Sequence, residues 1–138
     1  MVLPEPPTRQ TYFTTQNTSE FIGTSSWNTI PNLLINLSTQ TGDSLELSFT
    51  GRISWMDSAA SGNIQAFLVF VIDGVQISEQ FYFFNEYTSD GLYCHAIAYR
   101  YLATGLSPGD HNITMQIQAV GGFDAYGIDT MVLSALII

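Results

Sequence analysis

Two histidines, one cysteine and a pair of aspartates are the side chains in this sequence that could support nucleophilic catalysis or metal binding. His95 directly follows Cys94, and neighbours on a β-strand point to opposite faces, so this pair is poorly placed to act as base and nucleophile. We expect Cys94 to be a small buried apolar residue. His111 lacks a companion at zinc-binding spacing, and we expect it to be solvated at the start of a strand.

A glycine-containing acidic segment is the candidate cation site. Asp124 and Asp129 lie on either side of Gly127, and carboxylates in a loop can hold Ca²⁺ through their oxygens. The segment lacks an EF-hand pattern, so a polar loop without metal is the alternative. The sequence contains no G-x-S-x-G motif, and it predicts no catalytic residue, no enzymatic activity and no cofactor apart from this candidate Ca²⁺. A hydrolase built on a β-sandwich is kept as a third hypothesis.

Aromatic residues make up 13% of the chain and could stack against sugars. The candidates for such a platform are Trp27, Trp55, Tyr82, Tyr87 and Tyr126. Packing in a core or an interface is the alternative for these rings. N-x-S/T sequons occur at Asn17, Asn36 and Asn112. They would be modified only if the chain meets a glycosylation pathway.

The charge balance excludes two classes of partner. Three arginines and no lysine stand against twelve carboxylates, for a formal net charge of −9. Nucleic acids and anionic membrane surfaces both require basic side chains, so neither is predicted as a partner. Only 11% of the residues are charged, and soluble monomers usually keep apart by mixed surface charges. We therefore expect much of the surface to be covered by further copies of the chain or by another protein.

The first ten residues lack the basic and apolar regions of a signal peptide. The apolar run Ala66–Ile72 is too short to span a bilayer as a helix. Two explanations are consistent with this: a mature or trimmed fragment with a start Met, or a virion protein assembled in the cytoplasm and released by lysis.

The pattern of prolines and apolar residues divides the chain into two parts. Residues 1–23 are predicted to be an extended N-terminal arm, because Pro4, Pro6 and Pro7 favour extended backbone and no regular alternation follows them. A disordered tail is the alternative. Residues 24–138 are predicted to form one β-sandwich domain.

Alternation of apolar and polar residues predicts β-strands through most of this domain. Gly51 interrupts the alternation between Leu45 and Trp55 and predicts a bulge or bend. Asp73-Gly74 predicts a two-residue hairpin turn. Pro108 and Gly109 predict a second turn. With seven or eight strands, the predicted fold is an all-β, antiparallel two-sheet sandwich. A jelly roll is preferred, and an immunoglobulin-like sandwich is the second choice.

Some strands are apolar on both faces, which predicts a subunit interface as well as a core. The segment Ala66–Ile72, the run Phe81–Phe84 and the chain end show this pattern. A central strand covered by loops is the alternative. In the last strand, predicted over Thr130–Ile138, alternate residues from Met131 to Ile137 should face one side. The predicted interface residues are Phe67, Val69, Val71, Phe81, Phe83 and Ile138.

The order of these features resembles jelly-roll modules of phage and virus structural proteins and, more distantly, the trimeric TNF/C1q-like fold. The resemblance rests on VIDGVQI (Val71–Ile77), GLSPGDHNITMQIQAVGG (Gly105–Gly122) and the terminal apolar strand, and it covers about residues 32–138. It implies a non-enzymatic homotrimer on the virion surface, serving as capsid decoration, head-surface protein or fibre tip. The implied partners are further copies of the chain and a capsid shell or other virion protein. A carbohydrate- or receptor-binding module with a host glycan partner is the alternative.

Overall fold

The chain forms two antiparallel β-sheets in a computed structural model that describes residues 11–22, 26–57, 63–78, 81–87, 91–120 and 125–138. The strands in chain order are β1 (Thr11–Ile22), β2 (Asn28–Thr29), β3 (Ile35–Thr39), β4 (Leu45–Asp57), β5 (Asn63–Ile72), β6 (Val75–Gln76), β7 (Phe81–Tyr87), β8 (Gly91–Ala103), β9 (Gly109–Val120) and β10 (Ala125–Ile137). Within the described residues, no helix is long and apolar enough to cross a membrane. The predicted all-β, two-sheet class is confirmed.

Strand pairing defines the order within each sheet. Sheet A contains β1, β10, β4 and β8 as neighbours in that order. In sheet B, β9 and β5 are adjacent at the centre. One edge of sheet B consists of β2 and β3, which both pair with β9, and the other consists of β6 and β7, which both pair with β5. Counting each of these edges as one interrupted strand leaves eight strand positions, four in each sheet.

This connectivity is that of a jelly roll. Apart from the step from β5 to β6 and β7, each strand position is followed along the chain by one in the opposite sheet. An eight-stranded jelly roll has this double-sheet arrangement, whereas an immunoglobulin-like sandwich keeps its first two strands in the same sheet. The jelly roll preferred from the sequence is therefore confirmed over the immunoglobulin-like alternative.

The core lies between the two sheets and consists of the inward-facing residues of the alternating strands. In β4, Leu45, Leu47 and Phe49 are fully buried, while Glu46 and Ser48 between them lie on the outer face. The other central strands contribute Leu68, Phe70, Ile72, Ile113, Met115, Ile117, Met131, Leu133 and Ala135. Because burial stabilises each large aliphatic or aromatic side chain by about 1.5–3 kcal/mol, this layer is the main source of stability.

The turn at Asp73-Gly74 has the conformation that its sequence predicts. Both residues have positive φ, 52° at Asp73 and 79° at Gly74, and they join β5 to β6. Positive φ at both central residues defines the type I′ hairpin turn that fits the twist of paired strands. The predicted two-residue hairpin is confirmed.

The irregularity predicted at Gly51 lies on the partner strand. Gly51 itself pairs continuously with β8, but the register of β10 against β4 shifts between Asp129 and Val132. A Cβ atom at Gly51 would lie 3.0 Å from the ring of Phe49. A side chain at position 51 would therefore require the Phe49 ring to shift.

The predicted N-terminal arm is corrected by the pairing of β1. Thr11–Ile22 forms an edge strand of sheet A, in register with β10 from Leu136 to Ala125. The sandwich thus includes residues that the sequence assigned to the arm, while residues 1–10 lie outside the described part. The physical reason is that an edge strand buries only part of one face, so the weak apolar alternation of this segment is sufficient for it to pair.

The C-terminal strand is apolar on its inner face, as predicted. Met131, Leu133 and Ala135 are buried, and Ile137 packs partly against the core. Val132 lies on the outer face of sheet A, where its side chain is 37% exposed. The strand starts at Ala125, five residues before the predicted boundary.

Candidate functional site

A buried histidine at the start of β9 is the most strongly constrained polar residue in the described part. His111 is only 7% exposed. Its Nδ1 lies 2.7 Å from Oδ2 of Asp73, and its Nε2 lies 2.7 Å from the backbone carbonyl oxygen of Ser107. The expectation of a solvated histidine was wrong, because position 111 is in phase with the inward-facing Ile113, Met115 and Ile117 of the same strand.

Both ring nitrogens of His111 face acceptors, so only the protonated ring can donate to both of them. The hydrogen bond to Asp73 raises the pKa of His111 above its ordinary value of 6.5, helped by the Ser107 carbonyl and opposed by burial. The backbone N–H of Asn112 and the His111 ring hold the pKa of Asp73 below its ordinary value of 3.8. Both pKa shifts favour the pair in which His111 is protonated and Asp73 is ionised.

His111 joins two connections at one end of the sandwich to the start of β9. Asp73 belongs to the β5–β6 turn, and its Oδ1 accepts a hydrogen bond from the backbone N–H of Asn112 at 2.9 Å. Ser107 lies in the loop between β8 and β9, and its carbonyl also accepts a hydrogen bond from Oγ1 of Thr39 at 3.1 Å. We define the His111 clamp as His111, Asp73 and Ser107. It fixes the hairpin turn and the β8–β9 loop against the start of β9.

An open cavity of about 560 Å³ lies beside this clamp. Its lining is rich in amide, hydroxyl and carboxylate groups and includes Tyr12, Asn36, Leu37, Ser38, Asp110, His111 and Asn112. The hydroxyl of Ser38 donates to Oδ1 of Asp110 across the β3–β9 pair. Polar groups with one aromatic ring can bind a hydroxylated ligand through hydrogen bonds and stacking.

Ser38 and His111 do not form a nucleophile–base pair in this site. Ser38 and His111 occupy adjacent positions of the β3–β9 ladder, but Ser38 is exposed on the outer face and His111 is buried on the inner face. Nucleophilic catalysis needs the two side chains within hydrogen-bonding reach. Here Ser38 is bound to Asp110, and both nitrogens of His111 are already engaged.

The candidate Ca²⁺ residues are only partly within the described chain. Asp129 forms a two-pronged ion pair with Arg52, with Nε to Oδ1 at 2.9 Å and Nη2 to Oδ2 at 2.7 Å. Arg52 lowers the pKa of Asp129. Asp124 lies outside the described residues. Among the described residues, no group of three or more His, Cys, Asp or Glu side chains could hold a metal ion.

Most of the predicted chemical and sugar-stacking side chains lie outside the part whose side chains are described. They are Cys94, His95, Trp55, Tyr82, Tyr87 and Tyr126, together with the sequon Asn17. Trp27 is half-buried. The other two sequons come together, since Asn36 and Asn112 are exposed and lie opposite each other in the β3–β9 register.

The predicted interface residues fall into different environments. Val69 and Val71 face the outer side of sheet B but are only 0% and 2% exposed, so they leave almost no surface for a neighbouring subunit. In the register, Gln116 lies opposite Val69 and Gln76 lies opposite Val71. The Gln76 side-chain amide donates to Oε1 of Gln116 at 2.8 Å, so this bond crosses over β5.

That amide bridge helps to cover Val69 and Val71 within one chain. Phe67 is half-buried, and Ile138 is 42% exposed at the chain end. The side chains of Phe81 and Phe83 lie outside the described residues. Ile138 therefore keeps the most surface available for a partner among the described interface residues.

Comparison with known proteins shows similarity in fold. The sequence matches no protein-family model and no curated protein sequence. The fold is similar to that of a chain in the T13 particle of infectious bursal disease virus (IBDV), with a TM-score of 0.61 and 12% identity over 92% of this chain and 31% of that chain. The VP2 subviral particle of the same virus gives a TM-score of 0.54 and 14% identity, covering 93% of this chain and 32% of that one.

Particles of T=1 symmetry derived from infectious bursal virus give a TM-score of 0.54 and 13% identity, over 93% of this chain and 31% of that chain. The chain therefore spans about a third of the length of these viral chains. At this identity, the similarity establishes the shared jelly-roll fold.

Proposed function

We propose that this chain is a non-enzymatic structural protein of a virus particle. The observation that carries the proposal is the jelly-roll connectivity, which aligns with chains of infectious bursal disease virus particles over 92–93% of this chain. The low content of charged residues supports it, as does the engagement of both His111 nitrogens with Asp73 and Ser107 rather than with a serine hydroxyl.

In the finer form of the proposal, the protein is a homotrimer on the outside of the particle. There it acts as capsid decoration, head-surface protein or fibre tip, bound to the capsid shell or another virion protein. Closed symmetry lets such an assembly bury apolar surface without forming open filaments. The exposed apolar residues of the described surface, including Ile138, support association with further copies.

Two measurements test this function. Light scattering of the recombinant chain should give about three times the 15.2 kDa mass of one chain, and it should do so at low micromolar concentration, about 5 µM. Antibodies against the chain should label the surface of purified virus particles in electron micrographs. A stable 15.2 kDa monomer would reject the oligomer, and unlabelled particles would reject the virion location.

Glycan binding is a second candidate function, favoured by the open cavity beside the His111 clamp. Its amides, hydroxyls and Tyr12 ring have the chemistry that binds neutral sugars. A glycan panel tests it. The proposal is supported if Asn36→Ala abolishes glycan binding and Asn28→Ala does not. Asn28→Ala is the control, because Asn28 lies outside the cavity lining. A panel without any bound glycan would reject it.

A further inference from the structure

The outer surface of sheet A combines exposed apolar side chains with two ion pairs. Its four strands alternate, so one set of side chains points away from the core. We define the sheet A outer face as Thr11, Phe13, Thr15, Glu46, Ser48, Thr50, Arg52, Ala96, Ala98, Arg100, Leu102, Asp129, Val132, Ser134 and Leu136. Most of these side chains are small or uncharged, so they form a shallow face with few obstacles.

The residues that define this face carry no net formal charge, although the chain carries −9. Arg52 is paired with Asp129 at 2.7 Å, and Arg100 is paired more loosely with Glu46 at 3.9 Å. Two of the three arginines in the sequence therefore lie here with only two of the twelve carboxylates. The remainder of the chain carries ten carboxylates and a single arginine.

The face also exposes large apolar side chains. Phe13 is 71% exposed, Leu102 is 51% exposed and Val132 is 37% exposed. Ile138 continues β10 past the end of the face, and it lines a shallow depression of about 300 Å³ together with Leu102 and Arg100. The centre of the face is satisfied internally, because the hydroxyls of Ser48 and Ser134 bond to each other.

The outer side of sheet B offers no comparable surface among its described residues. Its amide bridge from Gln76 to Gln116 covers Val69 and Val71, as described above. Exposed residues next to it on β3 and β9 are polar, among them Asn36, Asp110 and Asn112. Val75 of β6 is the exception on sheet B, where its side chain is 62% exposed at the sheet edge. Most of the exposed large apolar side chains on the described strands therefore lie on sheet A.

We propose that copies of this chain assemble with their sheet A outer faces turned toward one another. The inference rests on the proposed function, which makes the protein a homo-oligomer, and it names the contact surface. Sheets with small side chains pack face to face about 10 Å apart. Two or three copies around a closed axis can bring these faces together.

The balance of charges on this face favours a second copy of the chain as its partner. Like charges placed opposite each other cost several kcal/mol, so two chains of −9 repel each other at most orientations. The residues that define the sheet A outer face are neutral as a set and include two of the three arginines, so two copies repel each other least when these faces are opposed. Its exposed Phe13, Leu102 and Val132 then supply apolar area to bury.

A matched pair of threonine substitutions tests the contact. Thr50 is exposed at the centre of the face, between Val132 and Ala98 in the register. Thr29 is exposed on the outer side of sheet B. Thr50→Glu adds a charge to the proposed contact, and Thr29→Glu adds the same charge elsewhere. Arg100→Glu is a second variant, since this side chain is 80% exposed and can change without disturbing the core.

Masses are measured by light scattering at about 1–100 µM, with thermal melts to confirm folding. The wild-type chain and Thr29→Glu should remain assembled. For Thr50→Glu and Arg100→Glu, the dissociation constant of the assembly should rise about 100-fold. Assembly that survives both Thr50→Glu and Arg100→Glu overturns the contact surface but leaves the oligomeric function intact. Dissociation of Thr29→Glu as well also overturns it, because the effect is then one of added charge anywhere.

Two further outcomes separate the face from the proposed function. A wild-type chain that is monomeric throughout the concentration range rejects the oligomeric function and the contact with it. A Thr50→Glu chain that stays assembled but no longer binds virus particles shows that the occupant is another virion protein, and this overturns the assignment to a second copy.

Discussion

Replacing His111 with phenylalanine should destabilise the protein most in mildly acidic solution. Phenylalanine keeps a ring of similar size in the buried position but removes both N–H donors. The Ser107 carbonyl keeps its hydrogen bond from Thr39. The main loss is therefore the hydrogen bond from the charged ring to Asp73.

The size of the effect follows from that one charged hydrogen bond. Hydrogen bonds to charged groups contribute about 1.5–3 kcal/mol, and the Asp73 side chain is 45% exposed, so we expect the lower end of this range. For a domain of this size, about 1.5 kcal/mol lowers Tm by roughly 5 °C. The greater hydrophobicity of phenylalanine offsets a small part of this loss.

The dependence on pH has a definite sign. The folded pKa of His111 is raised above its ordinary value of 6.5, so its contribution is fully present below 6.5 and is lost as pH rises through the folded pKa. The pKa of Asp73 is lowered, so its contribution is present above 3.8 and is lost as pH falls through its folded pKa. The clamp therefore stabilises the fold most between these two ordinary values.

Chemical denaturation of the wild type and His111→Phe at about pH 5.5 and pH 9 measures this contribution. The difference in unfolding free energy should be larger at the lower pH. Asp43→Asn is the matched control, because Asp43 also accepts a backbone N–H in a turn but lies away from a histidine. Its effect should not change between the two pH values. A constant difference between wild type and His111→Phe would refute the charged clamp.

The other predictions concern the edge strand, the core and the bulge. Deleting residues 1–22 should lower Tm, because it removes β1 and leaves β10 as an unpaired edge. Deleting only residues 1–10 keeps β1 and should lower Tm less. Equal effects of the two deletions would contradict the pairing of β1 with β10. Leu133→Asp should lower the free energy of unfolding by several kcal/mol and abolish cooperative melting, since Leu133 is fully buried. Val132→Asp, on the exposed side of the same strand, should lower it much less. Similar melting curves for the two variants would show that the strand is frayed. Gly51→Ala should lower the free energy of unfolding in urea by about 1–3 kcal/mol, because the added Cβ would lie 3.0 Å from the Phe49 ring. An unchanged urea midpoint would mean that the ring can move away without loss of stability.

Local pattern was sufficient to predict much of this fold. The alternation in β4 and β10 identified which side chains enter the core, because successive residues of a strand face opposite sides. Asp73-Gly74 identified a hairpin because few residue pairs tolerate positive φ at both positions. The number and spacing of the strands predicted a sandwich, and the lack of the Cys…Trp…Cys spacing of immunoglobulin domains placed the jelly roll first.

Some misassigned residues carried a signal that could have been used. His111 is in phase with Ile113, Met115 and Ile117, so the alternation itself indicated an inward-facing side chain. Its partner Asp73 is 38 residues away along the chain. The general preference of histidine for partly exposed positions favoured the wrong expectation. Only the fold brings a carboxylate to that ring and makes its burial favourable.

The sequence by itself determined most of the strands, the hairpin and the inner layer of the core, because these depend on short-range alternation and on turn residues. Only the tertiary structure decided that β1 completes sheet A and that an amide bridge covers Val69 and Val71. It also decided that the arginines at 52 and 100 neutralise one face of a strongly acidic chain. These features depend on which distant strands become neighbours, and strand pairing across long loops leaves no local pattern in the sequence.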